Sequence, residues 1–141
     1  MKKIIYIFLF LFPFTVNAQQ FWHQSCQSNY IWLNVGNPGF SPGKTQFTSL
    51  VFNTFDSLPY VAFQDQGNSW KATVMKFDGT NWIVVGNPGF SSAEADWIAL
   101  AFCPTDHEPY VVFQDYGSAQ KATVMKFDGT NWIYVGFQGL S

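Results

Sequence analysis

Arginine is absent from the 141 residues, and charged residues of any kind make up only 11%. A protein that grips nucleic acid neutralises phosphates with clustered Arg and Lys, so this composition argues against that partner. Histidine occurs only at positions 23 and 107, and no His/Cys cluster has the ligand spacing of a zinc site. The Gly-x-x-x-x-Gly-Lys-Ser/Thr spacing of a phosphate-cradling loop is absent. No catalytic residue, metal or cofactor is therefore predicted. Beyond residue 14 no apolar run approaches the ~20 residues that a membrane-spanning helix needs.

Cysteine is scarce as well. Cys26 and Cys103 suit an oxidising destination, but the repeat described below places them in different strands, about one and a half units apart. A disulfide requires Cα atoms within about 7 Å, so each is read as a buried unpaired thiol.

What is present begins with an export signal. Lys2 and Lys3 precede an apolar run, Ile4 to Phe14, of about 11 residues, inside the 7–15 range of a signal-peptide core. Val16-Asn17-Ala18 offers small or modest side chains to signal peptidase, which predicts cleavage after Ala18 and a secreted or surface location, extracellular or periplasmic. Without Lys2 and Lys3, five lysines face nine acids, a net charge near −4.

The remainder is a repeat. Val85 to Ser91 copies Val35 to Ser41, and Lys121 to Trp132 copies Lys71 to Trp82 without a change. Aligned at a spacing of 50, the two units agree at about 30 of 50 positions without a gap, a period found in radial and stacked repeat architectures. A third start, Val135 to Ser141, follows.

Each unit contains four strand-like runs rich in Val, Ile, Phe, Tyr and Trp. In the second unit they are Asp96–Cys103, Tyr110–Asp115, Lys121–Phe127 and Trp132–Gly136. Asp128-Gly129 is expected to supply the positive-φ positions of a tight hairpin. Four short antiparallel strands per unit predict an all-β chain of β-propeller blades. A stacked β-solenoid is the alternative, because identical units ask for identical surroundings and a sandwich does not provide them. The expected organisation is a signal peptide (1–18), an N-terminal half-blade (19–36), blade repeats at 37–86 and 87–136, and the start of another repeat (137–141).

The Val-Gly-Asn-Pro-Gly-Phe-Ser and Lys-Phe-Asp-Gly-Thr-Asn-Trp motifs resemble a family of secreted Gram-negative bacterial proteins with W-x-x-V-G-x-x-G-F-S blades. Members often carry a C-terminal sorting domain for type IX secretion. The resemblance covers nearly all of Trp32–Ser141 and implies a propeller of more blades, mostly without assigned activity. Because the half-blade at 21–36 aligns only with third and fourth strands, the chain is expected to be an N-terminal fragment whose missing blades, or self-assembly, would cover its open faces. Sialidase-like propellers pair a carboxylate with several arginines, which this chain lacks.

Repetition also separates structure from function. A residue kept in both units is more simply serving the sheet: Asp78 and Asp128 in the hairpin, Trp82 and Trp132 in packing. Asp65 and Asp115 could hold a ligand, although capping of loop amides is the plainer role. His107 and Glu108, which replace Ser57 and Leu58, read as a solvated turn. Strand alternation gathers Gln64, Asp65, Gln66, Asn68 and Trp70 on one face with Glu94, Asp96, Gln114, Asp115 and Tyr116. Aromatic rings beside amides and carboxylates suit sugar rings and their hydroxyls. The expected ligand-binding set is Trp70, Tyr116, Gln64, Asp65, Gln114 and Asp115. The function expected is a non-catalytic binding or adhesion module for a glycan or surface protein. The alternatives are a scaffold within a larger secreted enzyme, or a two-blade lectin that assembles as a trimer.

Overall fold

The computed structural model describes residues 31–139, nearly all in the second of two compact units, Met1–Trp32 and Leu33–Ser141. The predicted leader and most of the predicted half-blade, with Cys26 and His23, lie outside the described residues. Those described form eight strands: β1 (Thr45–Phe52), β2 (Pro59–Asp65), β3 (Lys71–Phe77), β4 (Trp82–Val84), β5 (Ala95–Phe102), β6 (Pro109–Asp115), β7 (Lys121–Phe127) and β8 (Trp132–Tyr134). No helix among them is long and apolar enough to cross a membrane.

The strands make two antiparallel four-stranded sheets, ordered β1-β2-β3-β4 and β5-β6-β7-β8. The chain is thus all-β, and each sheet is a meander of consecutive strands. Register is the same in both: Ser49 faces Ala62 as Ala99 faces Val112, and Tyr60 faces Lys76 as Tyr110 faces Lys126. Both first strands carry a bulge at the same place, with Phe47 and Trp97 at positive φ. The fourth strand is shorter than its sequence suggests, pairing over Trp82–Val84 only, although the Val85 amide still bonds to Val74 where the linker begins.

Local polar chemistry sets the turns. Asp56 Oδ1 accepts from the Leu58 amide and its Oδ2 from the Tyr60 hydroxyl, at 2.9 and 2.8 Å; Asp106 does the same for Glu108 and Tyr110. In the β3–β4 hairpin only Gly79 adopts positive φ, as does Gly129 in its copy. Asp78 works instead through its carboxylate, which accepts from the Thr80 and Asn81 amides at 2.8 Å. The expectation that Asp-Gly together supply positive φ is corrected: the turn is four residues long, so one glycine suffices. Those amide bonds hold the exposed Asp78 and Asp128 carboxyls below the usual range.

The linker explains the repeated Val-Gly-Asn-Pro-Gly-Phe-Ser motif. Val85 and Phe90 donate their amides to Val74 and Ala72 of β3, so the linker runs along the first sheet. From the second sheet Trp132 reaches back, its indole N–H 2.9 Å from the Val85 carbonyl and its ring stacked on Phe90 at 4.2 Å. Gly86 is required here, since a Cβ would lie 2.8 Å from Phe127. Trp82 holds Val35 and Phe40 in the same way. The Val85–Ser91 linker therefore bonds to the sheet before it and is clamped by the tryptophan of the sheet after it.

Alternation along paired strands gives each sheet two sides. One side of the first sheet carries Tyr60, Ala62 and Gln64 of β2 opposite Lys76, Val74 and Ala72 of β3; we call it the front. It packs on the back of the second sheet, where Leu100, Val111, Phe113 and Met125 join the same buried cluster. Tyr60 meets Phe102 edge-on at 4.8 Å, and the Leu100 amide donates to Ser49 Oγ at 3.1 Å. The sheets thus stack front to back, and the described residues form no closed ring.

Candidate functional site

The β2–β3 loop is built around a buried acid. Asp65 is fully buried; its carboxylate accepts from the Gly67 amide, the Asn68 side-chain amide and the Thr73 hydroxyl, at 2.9, 2.7 and 3.1 Å. Thr73 in turn accepts from the Gly89 amide at 2.9 Å, tying loop to linker. Asp115 repeats the arrangement with Gly117, Ser118 and Thr123, and Gly139 completes it. Neither carboxylate reaches the surface, so the structure places both inside the loop that they organise.

Gln64 is also buried, 1% exposed, and its amide nitrogen donates to Glu94 Oε1 at 3.3 Å and Asp96 Oδ1 at 2.5 Å. It fixes two carboxylates of the following unit. The segment that carries them is held from both sides: the Ala95 amide donates to the Trp70 carbonyl, and the Tyr116 amide donates to the Glu94 carbonyl, each at 3.1 Å. The Tyr116 hydroxyl points at Asp96 Oδ2, 3.4 Å away. The charge of Asp96 raises the Tyr116 pKa, with lesser contributions from burial and Glu94, so the phenol stays a donor.

The loops of both sheets thus converge on Glu94-Ala95-Asp96. Trp70 flanks it on one side, partly buried with the Lys44 ammonium 5.9 Å from its ring centroid. Tyr116, 43% exposed, flanks the other. Of the six predicted residues, four belong to this cluster or to the loop beneath it: Gln64, Asp65, Trp70 and Tyr116. Asp115 serves the second loop, and Gln114, the copy of Gln64, lies half-open on the front of the second sheet.

Trp70 has φ 60°, an uncommon conformation for a bulky residue. Its counterpart Gln120 has φ 62°, so this backbone belongs to the turn and not to a role of Trp70. Sequence reasoning missed Lys44. The signal was a charge reversal between units, since Lys44 occupies the position of Glu94.

Chemically the cluster offers oriented acceptors beside the Tyr116 ring, with Trp70 and Lys44 paired nearby. Nothing in it pairs a base with a nucleophile, and among the described residues no group of three or more His, Cys, Asp or Glu could hold a metal. His107 stacks on Phe55 at 4.6 Å in the hairpin region, and the Cys103 thiol, only partly covered, lies 3.1 Å from Thr105 Oγ1. The expectation of a buried thiol is corrected at Cys103, which β5 leaves at its open end.

A second concavity, of about 750 Å³, is lined by Val35, Phe40, Leu50, Phe52, Phe77 and Trp82 among others. Its lining is almost wholly apolar. In the second unit the equivalent residues Leu100, Phe102 and Trp132 are covered by the first sheet and its linker. The cavity is therefore an uncovered joint between units in form, not a cleft with convergent polar groups.

Comparison with family models, curated proteins and solved structures finds no match. Any function must be argued from these residues.

Proposed function

We propose that the chain is a secreted or surface-exposed, non-catalytic binding module. In this reading its two sheets are successive blades of a β-propeller, and the loops converging on Glu94–Asp96 take a glycan. The observation that carries it is a buried amide fixing two carboxylates, with the Tyr116 hydroxyl at one of them and the Trp70 backbone bonded to the segment between them. A sugar ring lays its apolar face on an aromatic ring while its hydroxyls donate to carboxylates. Lys44 and the Tyr116 hydroxyl supply donors for ring oxygens. Two four-stranded sheets of the same strand order and register, stacked front to back with loops gathered at one end, suit radial repetition. The export signal and the resemblance to secreted bacterial repeat proteins favour an extracellular ligand. A surface protein is the other partner considered.

The test is a glycan array followed by calorimetry with Trp70→Ala and Tyr116→Ala. Each substitution should weaken binding of any captured glycan at least about tenfold, on the scale of one lost aromatic contact. Absence of any captured glycan, or affinity unchanged in both variants, would reject the site.

A further inference from the structure

Among the described residues, nothing covers most of the front of the second sheet or the back of the first sheet along β1. Val112 is 39% exposed where its counterpart Ala62 is 0%, and Leu50 is 60% exposed where its counterpart Leu100 is 6%. Tyr110, Gln114 and Val124 on that front are only partly covered, whereas Tyr60, Gln64 and Val74 are buried. Phe52 beside Leu50 is 62% exposed. These surfaces are close in composition to the two that meet inside the chain, with Val112 for Ala62, Ala99 for Ser49 and Ala101 for Val51, and that internal joint shows how they fit.

We propose that a second copy of this chain docks head to tail, laying the back of its β1 on the front of the second sheet of the first. Most contacts of the internal joint have a counterpart; the Ser49 bond and the Phe55–His107 stack do not, since Ala99, Thr105 and Ser57 stand in those places. Tyr110 meets Phe52 of the second copy as Tyr60 meets Phe102, and Trp97 meets its Phe47 as Phe47 meets Trp97 at 4.8 Å. Gln64 donates to Glu94 and Asp96; the residues in those places on the incoming copy are Lys44 and Gln46. Gln114 answers them with its carbonyl oxygen, which accepts from both, so the polar contact survives with donor and acceptor exchanged. The joint brings Val135–Gly139 of one copy to the place held by Val35–Phe40 of the next, and one of these linkers yields. The surfaces differ from each other, so the contact is heterologous: it closes a ring if the rotation permits and otherwise builds an open chain.

The experiment is sedimentation velocity and light scattering on the purified protein, with Leu50→Lys and Val112→Lys. Both residues are exposed, so neither change should disturb the sheet that carries it, and circular dichroism checks this. The wild type should associate, either to a discrete ring or to a concentration-dependent series. A buried lysine charge should weaken self-association of each variant at least about thirtyfold. The decisive arm mixes the two variants: each keeps one intact surface, so the mixture should form a 1:1 dimer and nothing larger. A monomeric wild type overturns the proposal. So does an assembly that persists in either variant, or a mixture that stays monomeric.

Discussion

The second and third strands of the two sheets have nearly the same sequence but different neighbours. Lys71 to Trp82 and Lys121 to Trp132 are identical, yet Val74 is fully buried and Val124 is half open. Burial in this molecule is therefore a property of the joint as much as of the strand. On the backs, the centres of β2 and β6 behave alike, Phe63 and Phe113 each being 1% exposed, whereas Leu50 of β1 is open and Leu100 of β5 is covered. The fronts differ along β2 and β3 as well.

Paired substitutions can break or sharpen this contrast. The largest effect is expected where the sheets agree: Phe63→Ala and Phe113→Ala should each cost about 3–5 kcal/mol, measured by urea unfolding. A large inequality would show that the two backs are not packed alike. Where the sheets differ, Val74→Ala should cost about 2 kcal/mol, from two methyl groups and the cavity left behind. Val124→Ala should cost under about 1 kcal/mol in dilute monomer. At concentrations where copies associate, that gap should narrow.

Trp132→Phe removes a buried indole bond and strands the Val85 carbonyl, for a loss of about 1–2 kcal/mol. Trp82→Phe removes the same bond in an exposed setting and should cost less. The smallest effect concerns pH. Burial, followed by the bond and charge of Asp56, pushes the Tyr60 pKa up to about 12. The neutral form is the one favoured by folding, so its contribution is complete below the ordinary value of about 10 and is lost as pH rises towards 12. Tyr60→Phe should flatten the alkaline arm of the stability profile. Tyr110 is raised chiefly by its bond to Asp106, and Tyr110→Phe should change that arm less.

Strands, turns and period were legible in the residues because alternation and Asp-Gly chemistry are local. The faces were not. An identical twelve-residue segment cannot say which copy has a sheet in front of it; that depends on the chain 20 to 30 residues later. The loop acids were legible in part: capping of loop amides is the plainer reading of Asp65 and it accepts from the Gly67 amide, but the hairpin register that brings Thr73, eight residues away, under its carboxylate is not written in the local residues. Trp70 and Tyr116 stand out as candidates because they break the repeat. Lys44 broke it too, by sign of charge, and was passed over because its distance from Trp70 along the chain hid their proximity.

The tryptophan clamp on the linker has a consequence for how such a chain can change length. Val85 is bonded to the sheet behind it and to Trp132, which lies 47 residues ahead. The natural unit of inheritance is consequently a cassette that straddles a joint, not a sheet with its own borders. Cut anywhere and copied whole, such a cassette brings one linker, one clamp and one Asp–Thr tie, and every joint in the enlarged chain is complete. A duplication of any other length would leave a tryptophan with no carbonyl to hold, or a linker with nothing to hold it.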